Sequence, residues 1–157
     1  MNPGEAGGDN GCKSGIEAVM AFEIHPRLLA GGFEIGKLGC CRLLLKNNSH
    51  FSWFIMIPEL EGVDELHELP QSQYSEVMWD VRNVCKFVSA HFRPDKLNVG
   101  CIGNQVRQLH LHVVGRTTQD PAWPGTVWGF DGKKEYSQAE VGEIVMAAKE
   151  YLKMKTD

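Results

Sequence analysis

The sequence predicts an α+β domain: an antiparallel sheet with one long central helix and a C-terminal helix. Two apolar runs, Cys40–Asn47 and Trp53–Glu59, are joined only by the polar turn "NNSHFS", which marks an antiparallel strand pair. A stretch with apolar residues three and four apart follows, then two more strand-like runs. Strands broken by helices in this way argue α+β.

The opening "MNPGEAGGDNGCKSG" has five glycines in fifteen residues and almost no large apolar side chain, so burial cannot repay the entropy of ordering it. Residues 1–17 are expected to be a flexible tail, 18–120 the main domain, and 121–157 a C-terminal segment and helix packed on it. Tyr74, Val77, Met78, Val81, Val84, Cys85 and Val88 form one helical stripe, which predicts a helix from about Ser72 to His91, stopped by Pro94. "KLNVGCIGN" (Lys96–Asn104) reads as a third strand and "QLHLHVVGR" (Gln108–Arg116) as a fourth. The aromatic and proline-rich "QDPAWPGTVWGFDGKK" reads as an ordered surface segment. Ser137 and Glu140 have capping-box spacing ahead of the stripe Val141, Ile144, Val145, Ala148, Tyr151 and Leu152, the final helix.

Composition narrows function by exclusion. With 16 Lys+Arg against 20 Asp+Glu the formal net charge is −4, and no basic run offers a phosphate-tracking surface, so nucleic acid is not an expected partner. No segment suggests a membrane. The five cysteines (Cys12, Cys40, Cys41, Cys85, Cys101) are odd in number, lack CxxC spacing and follow no apolar signal segment, which predicts a cytoplasmic protein. One of the adjacent Cys40 and Cys41 is expected to enter the core as a small hydrophobe, and neither is given a catalytic role.

The chemistry gathers in "NVGCIGNQVRQLHLHVVGR" (Asn98–Arg116). On a strand, Gln108, His110, His112 and Val114 share one face, at about 6.6 Å per two-residue step, while Leu109, Leu111 and Val113 face the core. The preceding loop carries Gly100 and Gly103 with the amides of Asn98, Asn104 and Gln105, a composition suited to close approach of phosphate oxygens. A His-x-His pair also suits zinc, with His50 or a carboxylate as third ligand. His25, His67 and His91 read as surface or capping residues, and His50 is left open. Trp123, Trp128 and Phe130 are expected to pack the tail on the sheet.

These residues resemble the signature region of the histidine triad (HIT) family, in which three histidines alternate with apolar residues after an Asn-Gly loop. The resemblance implies a HIT-like fold. It also implies a hydrolase or transferase acting on a purine nucleotide derivative, a phosphoramidate or dinucleoside polyphosphate, through a nucleotidyl-histidine intermediate, with no cofactor or metal, in a homodimer. By position His110 matches the nucleophile, and His112 the histidine that contacts phosphate and leaving group. Asn98, Asn104 and Gln105 match phosphate-loop positions, and Asn47 the ribose-binding strand end. Gln108 stands in place of the first histidine, and Trp53 where many members carry another. Trp123, Trp128 and Phe130 lie where the tails of many members reach the nucleotide cleft, sometimes across a dimer interface, which is the alternative to packing on the sheet. That departure keeps open a non-catalytic nucleotide-binding module of the same fold, with a zinc-dependent hydrolase as a third reading.

Overall fold

The computed structural model describes residues 21–154, so the expected tail at 1–17 lies outside the described residues, as does Cys12. Its centre is a five-stranded, wholly antiparallel sheet in the order β1-β2-β3-β5-β4. The strands are β1 (Gly32–Leu38), β2 (Cys41–Lys46), β3 (Ser52–Pro58), β4 (Lys96–Gly100) and β5 (Leu111–Arg116). The helices are α1 (Pro26–Ala30), α2 (Gln71–Phe92) and α3 (Gln138–Tyr151). No described helix is long and apolar enough to cross a membrane.

Both faces of the sheet are buried, and alternation along each strand divides the side chains between them. Cys41, Leu43, Leu45, Phe54, Met56, Leu111 and Val113 face α2, which presents Val77, Val81, Val84, Phe87 and Val88. Leu44, Trp53, Ile55, Ile57 and Val114 face the other way, into a second apolar cluster with Leu28, Phe51, Val106 and Val127. Residues before β1 and after β5, including Phe22, Ile24, Trp128 and Phe130, close over that second cluster.

α2 runs one residue beyond the sequence expectation at each end and stops where Arg93 turns left-handed (φ 52°) ahead of Pro94. Its buried stripe includes Asp80 and Phe87, while Tyr74 is exposed. α3 starts with the expected capping box, Ser137 accepting from Glu140 N–H and Glu140 accepting from Ser137 N–H.

Three differences from the sequence reading have local causes. β1 was not anticipated, because register shifts between Glu34 and Gly36 break its period-two pattern. The run from Cys40 begins one residue late, because Gly39 (φ 55°) and Cys40 make the two-residue turn between paired Leu38 and Cys41. The two strands flanking the amide-rich loop are shorter than read: β4 ends at Gly100 and β5 begins at Leu111, so Gln108 and His110 precede the ladder.

Phe54 is wholly buried between Phe87 and Phe92, at ring-centroid distances of 5.6 and 5.9 Å. Phe54→Ala should lower the unfolding free energy by about 3–5 kcal/mol, read from urea denaturation, since the cavity lies between sheet and helix where neither collapses easily.

Candidate active site

On the sheet face away from α2 lies a cleft of about 680 Å³, floored by Trp53, Ile55, His110 and His112 and walled by Val127, Trp128 and Phe130. His110 and His112 stand edge to face, ring centroids 4.9 Å apart. Each has one ring nitrogen committed to a different kind of partner. His110 Nδ1 lies 2.7 Å from the carbonyl oxygen of Gln108, which can only accept, so the proton sits on Nδ1 and the Nε2 lone pair is left. His112 Nδ1 accepts from the Trp53 indole N–H at 2.9 Å, so the neutral ring carries its proton on Nε2. The pair thus offers one nucleophilic nitrogen beside one N–H donor.

Burial keeps both rings neutral. It lowers the His110 pKa, opposed by the Gln108 carbonyl and helped by nearby Lys46. It pushes His112 down to about 3, with the charges of His110 and Lys46 acting the same way. The cations around the cleft are Arg27, Lys46 and Lys133, and no Asp or Glu among the described residues lines it. Lys46 reaches over the Trp53 ring at 5.9 Å, and burial followed by Lys133 lowers its pKa. A chain of net negative charge therefore carries a locally positive recess.

The structure brings Asn47, Asn104, Gln105, His110 and His112 together along this cleft. Asn47 is oriented by the Tyr136 N–H, which donates to its Oδ1, and Gln105 Oε1 accepts from Arg27 Nη2 at 3.4 Å. Asn98 and Gln108 lie outside the lining. Asn98 Oδ1 accepts from Arg116 Nη1 at 2.8 Å, and Arg116, almost fully buried, is paired with Asp120. Gln108 faces the chain before α1: its amide donates to Glu23 O at 2.9 Å and its Oε1 accepts from His25 N–H at 2.8 Å. His25 in turn caps α1, from which Arg27 and Leu28 enter the cleft. His50 packs edge-on against Phe130, and His110 and His112 form no metal-ligand group with a third His, Cys, Asp or Glu among the described residues.

Sequence reasoning missed Lys46, Arg27 and Lys133, and left the position of Trp128 open between sheet and cleft. Lys46 had a signal, since alternation from Leu44 puts it on the cleft face of β2. Trp128 meets His112 and Trp53 edge-on at 5.5 and 6.1 Å, so part of the tail packs into the cleft. Gly100, expected to admit a ligand, makes room for this indole instead, because a Cβ there would lie 3.0 Å from the ring. Trp123 stacks over Arg116 at 5.8 Å.

Two measurements follow from this geometry. As the pH falls below 6.5, imidazoles of the unfolded chain take up protons that folded His112 refuses until about 3, so its contribution to stability is complete above 6.5 and is lost across that window. His112→Gln should therefore show a shallower decline of urea-unfolding free energy between pH 6.5 and 3 than the parent protein. Gln108→Ala should speed hydrogen exchange at the His25 amide, whose acceptor it removes, while the paired amide of Val113 keeps its protection.

The HIT domain family model matches residues 32–119. A histidine triad protein from Marinobacter aquaeolei is 32% identical, with a TM-score of 0.82 over 87% of this chain and 99% of its own. A histidine triad (HIT) protein from Sinorhizobium meliloti is also 32% identical, with a TM-score of 0.80 over 83% of this chain and 96% of its own. A histidine triad protein from Bradyrhizobium japonicum is 29% identical, with a TM-score of 0.82 over 84% and 98%. No curated protein matches the sequence. Fold, signature strand and these relatives agree, and the chain belongs to the HIT family.

Proposed function

We propose that this protein hydrolyses or transfers the nucleoside monophosphoryl group of a purine nucleotide derivative, a phosphoramidate or dinucleoside polyphosphate, through a nucleotidyl intermediate on His110. The observation that carries the reading is the opposed protonation of the two rings: a lone pair on His110 Nε2 beside an N–H on His112 Nε2, in a recess holding three cations. Attack by His110 Nε2 forms a P–N bond as the bond to the leaving group breaks, and its electron pair departs with that group. Water, or an acceptor hydroxyl, then attacks phosphorus as the P–N bond breaks, the pair returns to Nε2, and the attacking oxygen gives up its proton to solvent or to the released leaving group.

His112 acts in this scheme as a hydrogen-bond donor to a phosphoryl or leaving-group oxygen, because its depressed pKa leaves it uncharged until an anion binds. Lys46, Arg27 and Lys133 offset the phosphate charge, Asn104 and Gln105 supply loop donors, and Asn47 takes the ribose. Gln108 and Asn98 support the site from outside the cleft, through the bonds that hold the chain before α1 and Arg116. The scheme uses no metal or cofactor. A homodimer in the cytoplasm completes the reading, with β4, an edge strand exposing Val99, available for contact. Absence of the first histidine favours one competitor, a nucleotide-binding module of the same fold without turnover.

Intact-protein mass spectrometry after brief mixing with adenylyl and guanylyl phosphoramidates and dinucleoside polyphosphates tests this directly, provided acid quench is avoided. The parent protein should gain one nucleoside monophosphate transiently. His110→Ala should gain none and lose turnover by about a thousandfold or more, the scale on which removing a nucleophile acts. Tight nucleotide binding with neither adduct nor product would establish the binding module instead.

A further inference from the structure

On the opposite face of the sheet, where the β1–β2 turn rests on α2, three potential ligand side chains converge. Cys40 Sγ, Cys41 Sγ and a carboxylate oxygen of Asp80 all lie within 4.8 Å of one another, Cys40 Sγ being 4.0 Å from Asp80 Oδ2. Adjacent residues on a strand point to opposite faces, so two neighbouring thiols do not ordinarily meet. Here Cys40 is the second turn residue and Cys41 the first paired one, and the positive φ of Gly39 sets the turn that lets them converge. Gly39 is also needed because any Cβ there would run into the Asp80 carboxylate, so the turn sits directly on the acid.

Asp80 is 6% exposed, lies on the apolar stripe of α2, and pairs with no Lys or Arg among the described residues. The backbone N–H and thiol of Cys40 donate to the carboxylate, but the charges nearby are negative rather than positive, Glu76 acting on Asp80 and Glu59 on Cys41. A buried carboxylate with two thiols and no cation is costly to hold, and a bound cation reverses that balance.

We propose that Cys40, Cys41 and Asp80 form a binding site for a thiophilic divalent cation of the Zn(II) class, joining the β1–β2 hairpin to α2. Two thiolates and a carboxylate are donors that zinc accepts, and Zn–S bonds of about 2.3 Å place tetrahedral sulfurs about 3.8 Å apart, a shift of about 1 Å or less from the present spacing. Binding forms two S–metal bonds and one O–metal bond while the two thiol protons pass to solvent. Cys40 is only half-buried, which leaves a side open for water as fourth ligand. The site is separate from the histidine cleft and does not depend on the function proposed for it.

The test titrates the reduced full-length protein with Co(II), then displaces it with Zn(II) in competition with a chromophoric chelator. One equivalent of Co(II) should give a thiolate-to-metal charge-transfer band, and Zn(II) should raise the melting temperature. Cys40→Ser, a change in a half-exposed turn, and Asp80→Asn should each weaken Zn(II) binding at least tenfold, whereas His110→Ala should leave it unchanged. Absence of the charge-transfer band, or a band that persists at full strength in folded Cys40→Ser, would overturn the assignment.

Discussion

His112 opposes Ile55 across the β3–β5 ladder, and Trp53 stands diagonally next along the same face, close enough for its indole to donate to the His112 ring. That register is the constraint on which the cleft depends. A slip of one residue would move both imidazoles into the apolar layer against α2 and bring Leu109, Leu111 and Val113 onto the cleft. The α2 layer resists such a slip, because polar rings there would lose their partners and apolar side chains would lose theirs. The core thus enforces the positions of the reactive groups although it does not touch the cleft.

Burial decides the protonation of the two histidines, and the neighbouring atoms decide which nitrogen holds the proton. Without the Gln108 carbonyl and the Trp53 indole, two neutral rings 4.9 Å apart would be free to take either tautomer. Fixing them in opposite senses leaves complementary nitrogens side by side. Lys46 belongs to the same balance: half-buried above the Trp53 ring, it lowers both imidazole pKa values before any anion arrives. Any anion bound in the recess would oppose that effect and raise both values.

The parts of the fold governed by local periodicity were legible in the sequence. β2, β3, α2 and α3 came within a residue or so of their bounds, with α2 ended by the predicted proline and α3 started by the predicted box. β1 was not legible, since its irregular pairing and its glycines conceal the alternation. In the site, His110 and His112 were visible as a row on one face, whereas Arg27, Lys133 and Trp128 arrive from segments whose approach depends on tertiary packing. Asp80 was hidden for a different reason: a carboxylate on a helix ordinarily marks the solvent face, and only the hairpin above it makes it interior.

Gln108 lies outside the cleft and still holds two of its walls in register. Its backbone carbonyl orients His110, while its side-chain amide bonds both ways with the chain before α1, as donor to Glu23 O and acceptor from His25 N–H. A glutamine carries both functions in one group at any physiological pH. A neutral histidine also has one donor and one acceptor, but on a rigid ring whose two nitrogens diverge, and it titrates. The amide therefore suits a tether that brings Arg27 and Leu28 to the cleft, and it does so without a titrating group.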